Sequence, residues 1–229
     1  MRKRLVTVAA GALMLAVGAA PRAGLAAIIN INNHSFESPV LNGGQLVYAL
    51  AVPTDWSSSG TGQFWMVHAE PGPPESWAGF PGGLADGKQF AIIVGDGALT
   101  SQTLGPLTPS YLYTLTVALG RPNNAPVGDY TLELLVGSVV VASQTIAGSA
   151  IPSGTWQDFT LQYVSPISNV PAGNLQVRLG HSQGGPQQRE GAFDNVRLEA
   201  HWVPEPGTLT GLSTLFAAAA AVGLRRRRP

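Results

Sequence analysis

The sequence predicts an all-β protein, an antiparallel jelly-roll β-sandwich of nine or ten strands, and three observations carry that prediction. Between residues 27 and 203, apolar and polar residues alternate with period two through most segments, the pattern of half-buried strands. Clusters of Gly, Pro, Asn and Asp separate these runs at short intervals. The same region has no convincing helical period.

The clearest strands can be read in chain order. "YTLTVAL" places Tyr113, Leu115, Val117 and Leu119 on one face, and "YTLELLV" does the same with Tyr130, Leu132, Leu134 and Val136. "FTLQYV" aligns Phe159, Leu161 and Tyr163, and "LQVRL" aligns Leu175, Val177 and Leu179. The turn makers lie between them, in "LGPLTPS", "GRPNNAPVGD", "AIPSG" and "VPAGN".

The two ends differ from this pattern. Arg2, Lys3 and Arg4 precede an apolar stretch from Leu5 to Ala20, and Gly24-Leu25-Ala26 offers small residues for signal peptidase, so residues 1–26 read as a signal peptide. At the other end, the apolar span 209–224 is slightly short of the ~20 residues that cross a bilayer comfortably. Arg225, Arg226, Arg227 and Arg228 follow at once and would stay cytoplasmic. The tail therefore reads as a short transmembrane helix touching the inner membrane transiently, with the 27–203 domain outside the cytoplasm.

Composition narrows the partners. Eight of the 13 Lys and Arg fall in the two ends, whereas Glu205 is the only one of the 13 acids to do so, which leaves the domain 12 acids against five bases, about −7. An acidic domain lacks the basic footprint that nucleic acid requires. There are no cysteines, so thiol catalysis, zinc-thiolate sites and disulfides are excluded.

Pro204-Glu205-Pro206, then an apolar span, then an arginine cluster resembles a PEP-CTERM sorting signal over residues 204–229. That resemblance implies processing by an exosortase-type protease and delivery to the cell envelope or extracellular matrix of a Gram-negative bacterium. The 27–203 domain resembles the galactose-binding-like jelly rolls, which include many carbohydrate-binding modules. The resemblance rests on "NHSFESP", Trp56 after a proline turn, "SQTL" before "YLYTLTVALG", "GTWQDFTLQYV" and "FDNVRLE" in that order.

Catalytic motifs find little support. "GHSQG" spells the G-x-S-x-G of serine hydrolases around Ser182, but that elbow needs a strand turning into a helix, and Pro186 and Gly191 bracket too few residues for one. Ser182 is read as a loop residue. His34, His68, His181 and His201 lack metal-binding spacing. Glycosidase carboxylates would need a pair that stands out among twelve acids, and none does.

Aromatic residues are the remaining resource. The Pro/Gly-rich insertion after His68 places Trp77 and Phe80 near Trp65, with Glu75 and Gln63 as polar neighbours. Indoles stack on sugars, and long loops often carry function, so these five are the expected ligand residues. The alternative is that Trp77 and Phe80 pin the loop to the sandwich. Trp56 and Trp156 are read as core.

Asp194 shares strand parity with Val196 and Leu198, which would aim its carboxylate at the core, where an unpaired charge is costly. The jelly-roll resemblance implies a structural Ca2+ held by Glu37 and Asp194 with backbone carbonyls around residues 33–35. The alternative is that Asp194 caps backbone amides and Glu37 is solvated. Together these readings lead to a non-enzymatic, exported domain that binds extracellular polysaccharide. The alternatives are a purely structural matrix protein and, less favoured, a glycan hydrolase.

Overall fold

Alternating side chains give each strand two faces, and the molecule uses both. The computed structural model describes residues 26–42, 46–69, 79–184 and 189–203. In chain order its strands are β1 (Ala27–Ile29), β2 (Leu46–Leu50), β3 (Trp56–Gly60), β4 (Gln63–Ala69), β5 (Gln89–Val94) and β6 (Gly97–Ser101). They continue with β7 (Tyr111–Arg121), β8 (Asp129–Val136), β9 (Val139–Ala147), β10 (Thr155–Val164), β11 (Leu175–Ser182) and β12 (Glu190–Trp202). Among the described residues the one helical element is a 3-10 turn at Gly148–Ala150.

Two antiparallel sheets form a sandwich. The larger runs β10-β7-β12-β5-β4-β2, with β1 added on β12, and the smaller runs β3-β6-β11-β8-β9. The described strands number twelve rather than nine or ten. The shorter ones, such as "AII" and "WSSSG", span too few residues to display an alternation. In β7, β8 and β11 the expected faces are the buried ones, with Leu115, Val117, Leu132, Leu134, Val177 and Leu179 fully covered. Each such side chain contributes about 1.5–3 kcal/mol by leaving water.

A second apolar cluster lies outside the sandwich, on the outer face of the larger sheet. It comprises Val67, Phe80, Phe90, Ile92 and Ala192, with Trp65 and Trp156 packed against it. Phe80 stacks on Trp156 at 4.4 Å and meets Phe90 edge-on at 5.5 Å. Gly120 makes room for this stack, because a Cβ there would come within 2.7 Å of the Trp156 ring and 2.8 Å of Phe80. The segment from residue 79 to 88 therefore lies over part of the sheet and seals it.

Among the described residues no helix is long and apolar enough to cross a membrane. The signal peptide, the span 209–224, Pro204, Glu205, Pro206 and the terminal arginines all lie outside the described residues.

Candidate functional site

Beside the sealed area the outer face stays open. Register aligns Gln63 of β4, Val94 of β5 and Glu190 of β12 in one row across three strands. The next row on the same face runs Leu50, Trp65, Ile92 and Ala192, and the one after it includes Tyr48, Val67 and Phe90. These rows enclose a recess of about 330 Å³ lined by Tyr48, Gln63, Trp65, Ile92, Val94 and Glu190. An aromatic wall, an aliphatic floor, one amide and one carboxyl group make up its chemistry.

Burial holds the Glu190 carboxyl above the ordinary carboxylate range, because the ionised form is the one that loses solvation. Tyr48 is raised as well, first by burial and then by the facing charge of Glu190. Each group thus registers the recess electrostatically, and Glu190 keeps its proton to a higher pH than a solvated glutamate does. An acid of this kind, set in an apolar pocket, can donate a proton to a bound molecule.

The sequence-predicted ligand residues divide. Trp65 and Gln63 line the recess. Phe80 is 0% exposed, and its ring faces Trp156 and Phe90 rather than a ligand, so it anchors the loop. Trp77 and Glu75 lie outside the described residues. Ser182 is the exposed last residue of β11, a strand end rather than a loop position. Sequence reasoning missed Glu190 and Tyr48. The available signal was parity, since Glu190, Ala192 and Asp194 face away from the core residue Phe193.

The same parity corrects the reading of Asp194. A register shift lies between Asp194 and Arg197, and Asn195 adopts φ 47°. Phe193 and Val196 both face the core across this bulge, which leaves Asp194 on the outer face, opposite to the expectation. It is nonetheless 0% exposed, because residues 79–88 cover it. Its Oδ2 accepts the Asp86 amide at 2.8 Å and its Oδ1 the Asn195 amide at 2.7 Å.

Arg197 pairs instead with Asp158 at 2.6 Å, leaving Asp194 without that cation. Burial pushes the Asp194 carboxyl up to about 8; the Asp86 and Asn195 amides oppose it, and the charges of Asp86 and Glu37 add a smaller push in the same direction as burial. Glu37 is half-buried rather than solvated, and its Oε1 accepts the amides of Lys88 at 2.7 Å and Gln89 at 2.8 Å. Among the described residues no group of three or more acidic or histidine side chains sits at metal-binding spacing.

Solved structures with this fold include the Stig cyclase Fisc from Fischerella sp. TAU in complex with (3Z)-3-(1-methyl-2-pyrrolidinylidene)-3H-indole. It is 24% identical, with a TM-score of 0.66 over 79% of this chain and 100% of that one. A Fischerella sp. TAU cyclase in complex with 4-(1H-indol-3-yl)butan-2-one is 23% identical, with a TM-score of 0.67 over 78% of this chain and 100% of that one. A β-sandwich carbohydrate-binding module in complex with β-1,4-galactotriose aligns at a TM-score of 0.46 and 14% identity, over 73% of this chain and 95% of that one. No curated protein matches the chain.

A family model described as HpiC1-like, HpiC1 cyclase, matches residues 27–199. This match overturns the expectation of a non-catalytic carbohydrate-binding or matrix protein, because the family is one of enzymes. From Ala27 to Glu199 the chain belongs to the HpiC1-like cyclase family.

Proposed function

We propose that the protein is a cyclase that closes a ring on a small, largely apolar aromatic molecule of the indole class, with Glu190 as its proton donor. The observation that carries this reading is the placement of one carboxyl, raised by burial, in a recess walled by Trp65 and Tyr48. The Fischerella cyclases were solved with indole-bearing molecules, which supports the substrate class.

The chemistry follows from the lining. Glu190 gives its proton to a π-bond of the substrate, and the electron pair of that bond forms the new C–H bond. The resulting cation is attacked by a second π-bond of the same molecule, which closes the ring through a new C–C bond. Loss of a proton from the ring to the Glu190 carboxylate restores neutrality and the acid, so the product is an isomer of the substrate. The Trp65 face stabilises the transient cation by about 0.5–2 kcal/mol, while Ile92 and Val94 keep water away from it. Gln63 supplies a hydrogen bond that orients the ligand.

The test is isothermal titration with 4-(1H-indol-3-yl)butan-2-one, together with chromatographic detection of isomeric products from indole-bearing alkenes. Binding that Trp65→Ala weakens, and product formation that Glu190→Gln abolishes, would support the reading. Full product formation by Glu190→Gln would overturn it.

We also propose a structural calcium at Asp194 and Glu37, near the recess but outside it. The donor set fits a hard cation: Asp194 is fully buried, Glu37 and Asp86 act on it as further negative charges, and Arg197 is turned to Asp158. Bound calcium would tie residues 33–41 to the segment 79–88, which Gln89 already bridges through Phe36, Pro39 and Leu41. Thermal melts with calcium and with excess chelator should differ, and Asp194→Asn should remove the difference. Identical melts and no metal by elemental analysis would remove the site. The signal read over residues 1–26 supports action outside the cytoplasm, and intact mass of the native protein tests it.

A further inference from the structure

We infer that His181 is the positioning residue of Glu190, acting through the backbone from the opposite face of the sheet. This rests on the reading of Glu190 as the acid and adds what holds it in place. His181 is the last core-facing residue of β11 and is 4% exposed. Its ring lies behind β12, against Gly191: a Cβ on that glycine would come within 2.4 Å of His181 Cδ2 and 3.0 Å of the Tyr130 ring. Because neighbouring strand residues face opposite ways, the imidazole lies directly behind the residue that follows Glu190.

Four hydrogen bonds form a closed circuit through this point. His181 Nδ1 donates to the Gly95 carbonyl at 2.8 Å, and the Gly95 amide donates to the Arg189 carbonyl at 3.0 Å. The next residue along the chain is Glu190, whose amide donates to the Pro126 carbonyl at 2.9 Å. Two residues after Pro126, the Gly128 amide donates back to His181 Nε2 at 3.2 Å. The peptide carrying Glu190 is thus fastened on one side to the β5–β6 turn and on the other to the segment before β8, and the imidazole joins the two.

The circuit specifies one state of the ring. A carbonyl only accepts and an amide only donates, so Nδ1 carries the proton and Nε2 is bare. A proton on Nε2 would remove the acceptor of the Gly128 amide and bury a charge. The charged groups acting on the ring are Asp96 from the β5–β6 turn, Asp129 at the start of β8 and Arg189 before β12, and Tyr130 stands edge-on at 5.8 Å. Burial opposes the protonated ring most strongly; the Gly95 carbonyl, Asp96 and Asp129 favour it, and Arg189 adds a smaller opposition. Replacing the ring would open the circuit and let the Glu190 carboxyl move toward solvent.

The test reads the Glu190 carboxyl itself and needs no substrate. Full-length protein labelled with 13C at glutamate carboxyls is titrated by NMR, with the Glu190 signal identified by its loss in Glu190→Gln. His181→Phe fills the ring's space without its hydrogen bonds and should move the Glu190 midpoint about one pH unit back toward the ordinary glutamate value. His181→Gln, which can donate and accept through one amide, should recover part of the shift. An unmoved midpoint in folded His181→Phe would overturn the inference.

Should that variant not fold, the unsubstituted protein decides. Imidazole 15N shifts should show the Nδ1–H form, and the Glu190 and Gly128 amides should shift together at the His181 midpoint. An Nε2–H ring, or a Glu190 amide that ignores the titration, would overturn the inference. Cyclase activity retained by Glu190→Gln would overturn only the assignment of the acid, since the midpoints are read without turnover.

Discussion

Glu190 and Asp194 stand four residues apart on the same face of β12, and both carboxyls are held above their ordinary range by burial. One opens into the recess and the other is sealed beneath residues 79–88. The strand is common to both, so the cover makes the difference. Over Asp194 the chain supplies two amides aimed at the carboxylate, which fixes the group. Beside Glu190 the described chain supplies side chains that line a space, which leaves the group available to a ligand. Burial is common to both carboxyls; access is what separates the proposed acid from Asp194.

The sharpest way to break this comparison is Glu190→Gln. Turnover should fall by about 10²–10⁴-fold, as expected for a lost general acid, with little change in melting temperature. An equal loss of stability would make Glu190 structural, like Asp194.

Removing the cover comes next. Phe80→Ala should cost about 3–5 kcal/mol of stability in a chemical-denaturation series, because the ring is enclosed by Trp156 and Phe90. Weakened ligand binding with unchanged stability would instead return Phe80 to the site.

The two acids also predict a pH dependence. A carboxyl raised in the folded state stabilises it while protonated. That contribution is complete below the unfolded value and is lost as pH rises through the folded one, near 8 for Asp194. Chelator-treated protein should therefore lose stability in urea melts between pH 5 and 9, and calcium should flatten the loss. His181 runs the other way: burial lowers it, so stability should decline as pH falls below about 6.5.

The smallest expected effect is on the exposed Arg197–Asp158 pair. Arg197→Ala should change stability by less than about 1 kcal/mol. A larger cost would mean that Arg197 also compensates Asp194.

How much of this was legible depended on which face a residue occupies. The inward faces of β7, β8 and β11 could be read because their alternation is unbroken. The position of Asp194 could not be read, because the bulge at Asn195 adds one residue and reverses parity, and nothing local in "FDNV" announces it. The outer apolar cluster also stayed hidden: Phe80 and Trp156 come together only once Gly120 allows the stack, a contact between distant segments. Trp65 and Gln63, singled out as an aromatic and a polar residue beside the long insertion, line the recess. Glu190 was overlooked because an acid without its surroundings resembles the eleven others in the domain.

The recess is built at the margin of its sheet. β2 is the terminal strand of the larger sheet, and along β4 the residues Gln63 and Trp65 alternate with Phe64 and Met66, which pack into the sandwich. On the proposed reading, substrate scope and foldedness are written in interleaved letters of one strand, so selection can edit one text without rewriting the other. Leu50, 66% exposed beside Trp65, belongs to the editable text. A lineage of such enzymes could diverge in what it cyclises by exchanging a few outward residues on β2 and β4, leaving the interior that folds the chain untouched.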